Sequence, residues 1–348
     1  MRFLLLFTSL FLLASCNPKE PLYNTQTYVF GTLVDISIYG ESDERAQEVA
    51  TAIINNYNQL HHRLHAWKPS EISTINHAFS QGKTAANVSD DIAHMITEIT
   101  TLSNQSRGTF NPAIGQLIEL WGFHSDTFTP HQVDAEKIQA LIVKNPQMKD
   151  IMVEGNKLYS NNKAVKLDFG GYAKGYALDI GFAYLKAQHI QNALINIGGN
   201  IIALGKHDDK PWRVGIQHPR QPSAIASIDL PSGWAIGTSG DYQRYFEMDG
   251  KRYCHVINPA TGYPVKDVQS VTVLIPPQNN AGVLSDVASK PIFIAKPDAR
   301  ASTAKAMGIK HYLIIESGNS IQVSEPMQKR LDWLDITAKK NVEVVPVE

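Results

Sequence analysis

The stretch Leu167–Asp179 reads LDFGGYAKGYALD and gathers a carboxylate, paired glycines and a lysine. Val165-Lys166-Leu167 predicts a short strand that would present the Asp168 carboxylate at a sheet edge. Gly170 and Gly171 would let backbone pass close to a ligand with no side chain between. A helix over 173–187 would follow, and the free amides of its first turn favour an anion. Lys174 in that turn opposes the helix dipole, which a negatively charged ligand would explain. A glycine-rich turn with a surface lysine accounts for the same residues equally well, so this stretch alone leaves the choice open.

Other candidate motifs fail on spacing. Gly82-Lys83-Thr84 would need a glycine at position 77 to form a phosphate-binding loop, and His77 stands there. Asp168-Phe169-Gly170 matches a kinase triplet, but no kinase catalytic loop accompanies it. No Gly-x-Gly-x-x-Gly follows a strand. Gly237-Thr238-Ser239-Gly240 lacks the closing glycine of a hydrolase elbow, because Asp241 holds that position. His61 and His65 are four apart on one predicted helix, a zinc-capable spacing. The glutamate of the zincin motif is missing, which favours a packing or solvated role for them and for His62.

Elements that must position these residues are legible from periodicity. Residues 34–39 alternate apolar and polar, as a half-buried strand does. Helical spacing runs over 43–64, with Ser42 or Asp43 as cap, over 89–106, and over 134–144 with Asp134 as cap. Strands are expected at 193–197 and 271–275. Residues 242–247 and 251–257 flank Met248-Asp249-Gly250, a tight-hairpin pattern. Helices and strands mix without regular alternation, so the fold class expected is α+β.

The chain has 348 residues, 43% hydrophobic and 19% charged, with net charge -1. That balance suits one large folded domain and carries no basic excess for nucleic acid. Arg2 precedes an apolar run from Phe3 to Ala14, too short to span a bilayer and laid out as a secretory signal. Leu13-Ala14-Ser15-Cys16 resembles a bacterial lipoprotein signal, which implies cleavage before Cys16 and acylation there. The protein would then be lipid-anchored at Cys16 in the bacterial cell envelope, on the periplasmic side. Residues 1–16 are thus expected as signal, 17–26 as a polar tether and 27–348 as a single domain. With Cys16 acylated, Cys254 has no partner for a disulfide.

Seven short segments add a second line of argument. Besides the opening stretch they are Phe30-Gly31-Thr32, the run from Arg63 to Ser73 (RLHAWKPSEIS), FNPAIG at 110–115 with Trp121-Gly122-Phe123, NIGGN at 196–200, TSGDY at 238–242 and HVINPATGYP at 255–264. In this order and spacing they resemble the ApbE family of FAD:protein FMN transferases. The resemblance spans nearly the whole chain from about residue 27. It implies a T-fold-like α+β architecture and a secreted enzyme that binds FAD with magnesium. Such an enzyme moves FMN onto a threonine hydroxyl of an acceptor protein and releases AMP. Acceptors would be subunits of membrane redox pumps, such as sodium-translocating NADH:quinone reductase or the Rnf complex.

The resemblance also implies roles, position by position. Phe30 would open the isoalloxazine pocket, and Trp67 would stack on flavin or adenine. Phe110, Asn111 and Pro112 would line the cofactor. Asp168 would hold the adenosine, Lys174 would neighbour the cofactor, and Ile257 would touch the flavin. His255 would be the general base for the acceptor threonine, with a pKa near neutrality. Gly171, Asp286 and Ser289 would serve the metal.

Two positions depart from the family. Its last metal segment usually reads Ala-Asp-Ala-x-x-Thr, and here Lys290 holds the threonine position. A protonated lysine donates and cannot ligate a metal. Lys290 could point away while Ser289 ligates, it could stand in for a cation, or metal-dependent transfer could be lost. The last case would leave a non-catalytic FAD-binding lipoprotein or an FAD pyrophosphatase. Asn258 replaces an aspartate before the Pro-x-Thr-Gly turn, which keeps an Asx turn and removes a negative charge.

Overall fold

The computed structural model describes residues 20–347 apart from 86 and 126, so the signal and Cys16 lie outside the described residues. Nine strands form one sheet: β1 (Leu22–Val29), β2 (Thr32–Tyr39), β3 (Asn192–Ile197), β4 (Asn200–Leu204), β5 (Ala235–Gly240), β6 (Val268–Ile275), β7 (His311–Glu316), β8 (Ile321–Ser324) and β9 (Val342–Val345). Their order in space is their order in the chain. Every neighbouring pair is antiparallel except β8–β9, which is parallel. The first eight strands can therefore pair without a parallel crossover between neighbours.

The helices are α1 (Asp43–Leu64), α2 (Glu71–Ser80), α3 (Asp90–Gln105), α4 (Gly115–Leu120), α5 (Ala135–Lys144), α6 (Ala173–Ala187), α7 (Ala281–Val287), α8 (Ser289–Ile294) and α9 (Arg300–Ala306), with shorter turns elsewhere. Apolar spacing and the Ser42 cap set α1 where the sequence predicts it, and α6 lies over its expected residues with no side-chain cap. Ser42 caps α1 by accepting from Arg45 N at 3.3 Å, and Asp134 caps α5 by accepting from Glu136 N at 2.9 Å. Helices α1, α6 and α8 cover one face of the sheet through Ile53, Tyr57, Leu178 and Ile292. A three-stranded sheet (Trp212–Gln217, Ala224–Leu230, Leu331–Trp333) covers the other through Val214, Ile228 and Leu331. β6 lies between these layers and is buried at every position, which explains its unbroken apolar and small-polar sequence. The α+β class holds.

Three expectations need correction. Leu22–Gln26, expected as tether, pairs residue by residue with β2 as the first part of β1. An edge strand half-exposed along its length has no need of an apolar stripe, so its polar letters masked it. Residues 165–167 form no strand beyond a single bridge between Ile114 and Lys166. The segment is held instead by Asn76, which donates to Leu167 O at 2.9 Å and accepts from Leu167 N at 2.6 Å. The hairpin is shorter than predicted, Tyr245–Met248 against Lys251–Cys254, turning through Asp249 and Gly250 at positive φ. Residues 242–244 and 255–257 leave its two arms and enter the site described next.

Candidate active site

Close helix packing builds the centre of the site. An ideal Cβ at Gly175 on α6 would lie 2.4 Å from Gly282 O and 2.9 Å from the Asp286 Cβ on α7. Only glycine permits that approach. Asp179, also on α6, accepts from Gly282 N at 2.7 Å and Val283 N at 2.8 Å, so it satisfies two free amides at the start of α7. Burial pushes the Asp179 carboxyl up to about 7 against those two bonds.

So pinned, α7 delivers Asp286, 2% exposed, to the first turn of α6. Lys174 Nζ donates to its two oxygens at 3.1 and 3.3 Å, and Gly175 N donates to Oδ2 at 3.1 Å. Lys290 Nζ donates to Asp286 Oδ1 at 2.7 Å and to Asp286 O. Burial opposes ionisation of Asp286, but the two ammonium groups hold its carboxyl well below the usual range. Burial in turn pulls Lys290 down to about 8, with Asp286 holding it up.

His255 approaches from the far arm of the hairpin. Its backbone N donates to Arg244 O at 3.0 Å and its Nδ1 lies 3.2 Å from the same carbonyl. A carbonyl only accepts, so Nδ1 carries the proton and Nε2 keeps its lone pair. Burial, with the charges of Arg244, Lys174 and Lys290, lowers the imidazole to about 3. The expected near-neutral pKa is thus corrected: desolvation of the part-buried ring, with three cations nearby, keeps it neutral across the physiological range. Arg244 also reaches the β1–β2 turn, donating to Phe30 O and Gly31 O at 3.4 Å. Phe30 itself sits at φ 57°, an uncommon conformation for a bulky residue, and Gly31 follows at φ 70°.

An aromatic row leads outward from that turn. Phe30 meets His61 with ring centroids 5.7 Å apart, His61 meets His65 at 5.2 Å, and His65 meets Trp67 at 4.8 Å. His61 and His65 therefore pack between the two aromatic residues, and no three-member metal cluster occurs among the described residues.

The remaining candidates divide. Phe110 lies beside Gly171, its ring 3.6 Å from where a Cβ on Gly171 would stand. Asp168 is stapled near them: its N donates to Pro112 O at 2.9 Å, and its Oδ1 accepts from Gly170 N at 2.8 Å. Burial raises the Asp168 carboxyl against that bond and the charge of Arg244. Asn111 is spent on structure, donating to Pro146 O at 2.8 Å and accepting from Ala113 N at 3.1 Å. Ile257 is buried with Leu117, Trp121 and Phe246 in a separate apolar cluster. Asn258 keeps the Asx turn, accepting from Ala260 N at 2.9 Å. Sequence reasoning missed Arg244, although the TSGDY segment ends two residues before it. It also missed Asp179, whose one signal is an acid amid small and apolar helix residues.

The implied magnesium meets a poor donor set. Asp286 Oδ1, Oδ2 and O already accept from ammonium or amide groups. The Ser289 hydroxyl, 1% exposed, bonds Ser239 Oγ at 2.7 Å and Asp286 O at 3.1 Å. Lys290 lies against Gly171, its Cε 2.9 Å from the Cβ that Gly171 lacks. Lys290 therefore points inward, and Ser289 is turned away to its own partners. These residues do not fit a divalent ion at Asp286.

Known proteins share this architecture. The protein called FAD:protein FMN transferase in Rhodobacter capsulatus is 36% identical over 88% of this chain, which spans 58% of that protein's length. The one of that name in Vibrio cholerae is 31% identical over 78% of this chain and 82% of its own. The crystal structure of the ApbE protein of Thermotoga maritima superposes with a TM-score of 0.79 at 28% identity, covering 89% of this chain and 99% of that one. Residues 30–314 match the ApbE family as a whole. The chain belongs to the ApbE family.

Proposed function

We infer that the protein is an FAD:protein FMN transferase. One observation carries the reading: a neutral histidine with a free Nε2 stands among three cations, Arg244, Lys174 and Lys290. The acceptor hydroxyl oxygen attacks the flavin-side phosphorus of FAD as its proton passes to His255 Nε2. The bond from that phosphorus to the bridging oxygen breaks, and AMP leaves with the electron pair. The flavin keeps its oxidation state. Transfer at phosphorus needs positioning and charge neutralisation more than covalent help. The lysines and Arg244 supply the charge, while Phe30 and Trp67 offer ring faces to flavin and adenine.

Mixing the protein with FAD and the FMN-carrying domain of an Rnf-type subunit tests this. The expected result is acceptor fluorescence that survives a denaturing gel, with AMP released in equal amount. Free FMN with AMP and a dark acceptor would mean hydrolysis, and bound FAD without turnover would mean a carrier.

Redox-pump subunits at a membrane are the acceptors proposed here. Leu13-Ala14-Ser15-Cys16 supports a lipid anchor on the same surface, and no helix among the described residues is long and apolar enough to cross a membrane. Growth with labelled palmitate should mark the wild-type protein and leave Cys16→Ala unmarked. Equal labelling of both would remove the anchor.

A further inference from the structure

We propose that Lys290 is the resident cation of this site and holds the place beside Asp286 that a divalent metal ion would need, so that FMN transfer proceeds without a metal there. This rests on the transferase reading above and specifies how its charge is supplied.

Lys290 Nζ sits on Asp286 O and Oδ1, two oxygens of one residue that together would make a natural grip for an ion. An ammonium has three N–H donors. Two are spent on Asp286, and with the side chain 16% exposed the third is left for a phosphate oxygen. The path of the chain is built for this. Gly171 has no side chain where Lys290 Cδ and Cε pass, at 3.2 and 2.9 Å from an ideal Cβ. Phe110 borders the same space, its Cε2 3.6 Å from that Cβ position.

Charge arithmetic points the same way. Lys174 and Asp286 alone are neutral as a pair, and would offer an anion little. Lys290 raises these three residues to a net charge of one positive, and Arg244 beside His255 adds a further positive charge. A divalent ion added beside both lysines would put three positive charges net around one buried carboxylate, and like charges in a low-dielectric site repel strongly. Ser289 is 1% exposed and already bonds Ser239 Oγ and Asp286 O, which leaves its hydroxyl at most one lone pair.

Manganese serves as the probe. Titrated into the FAD-free wild-type protein, Mn2+ should keep its full solution paramagnetic resonance signal. The Lys290→Thr and Lys290→Met variants restore room at Asp286, and the former adds an oxygen ligand; uptake is expected in the threonine variant. Transfer by the wild type in EDTA should stay within ~10-fold of its rate in magnesium, whereas Lys290→Thr should lose about 10²-fold in EDTA and recover with magnesium. Stoichiometric Mn2+ uptake by the wild type, or more than ~10-fold loss of its transfer in EDTA, overturns the proposal. Neither wild-type measurement depends on a variant folding. A wild type that takes up no Mn2+ and labels no acceptor in either buffer sinks the transferase reading and leaves the assignment of Lys290 standing.

Discussion

Replacing His255 with glutamine is expected to lower kcat for FMN transfer by ~10²–10⁴-fold while FAD still binds. The ring is a base whose Nε2 makes no hydrogen bond in the site and is unprotonated at neutral pH. Arg244 O fixes the tautomer, and burial with three cations keeps the proton off Nε2. Glutamine can still donate toward Arg244 O, so the hairpin arm should hold its place while the base is gone. Retention of full kcat would show that the acceptor hydroxyl is deprotonated by another group.

The same electrostatics set the pH profile. An imidazole at about 3 is unprotonated throughout the working range, so kcat/KM should show no acid limb from His255 above about pH 5. Bound FAD brings a pyrophosphate whose negative charge offsets Arg244, Lys174 and Lys290. The imidazolium then becomes less costly, and the acid limb of kcat moves up relative to that of kcat/KM. Stability follows by linkage. The unfolded histidine binds a proton below about 6.5 and the folded one does not, so its own contribution to stability falls as pH drops from about 6.5 toward 3, against the opposite contribution of Asp179, whose carboxyl is raised to about 7. His255→Gln should flatten that slope. An acid limb of kcat/KM near pH 6.5 in the wild type would contradict the burial of the ring.

How much of this was legible in the sequence depends on whether local or distant groups decide each feature. α1 was legible because apolar spacing and a capping serine are local properties. Asp168, Lys174, His255 and Asp286 were legible through motifs, and the structure gathers Lys174, His255 and Asp286 with Lys290 and Arg244 in one electrostatic cluster. The direction of Lys290 was not legible. It depends on Gly171 leaving room for its stem and on α7 lying against α6, which Gly175 and Gly282 permit from positions far apart in the chain. Arg244 was missed for the same reason, since its role comes from the β1–β2 turn folding over to meet it. The pKa of His255 could not be read from residue type, because burial and three remote cations set it. Ile257 shows the converse: its motif marked a flavin contact, and its burial beside Trp121 gives it a packing role.

Asp286→Ala should cost both activity and stability, and the stability loss is the larger test of the site's architecture. The carboxylate is 2% exposed, and Lys174 and Lys290 both depend on it. Removing one partner of a buried charge cluster leaves the others uncompensated, at about 3–5 kcal/mol. Denaturant unfolding should therefore show a midpoint drop with little change in slope. Because the penalty comes from stranded cations, the double variant Asp286→Ala/Lys290→Met should be more stable than Asp286→Ala alone. Simple loss of packing would make the double variant the worse of the two. The pH window separates this from His255. Asp286 is held below the ordinary carboxylate value in the fold, so its contribution is full above about pH 4 and is lost as pH falls through its lower folded value. Asp286→Ala should reduce the slope below about pH 4, where Asp91 and Glu71 still contribute, and leave the higher, histidine-linked slope in place. A wild type whose stability is unchanged between pH 4 and 2 would mean that the two lysines do not hold the carboxylate as the geometry requires.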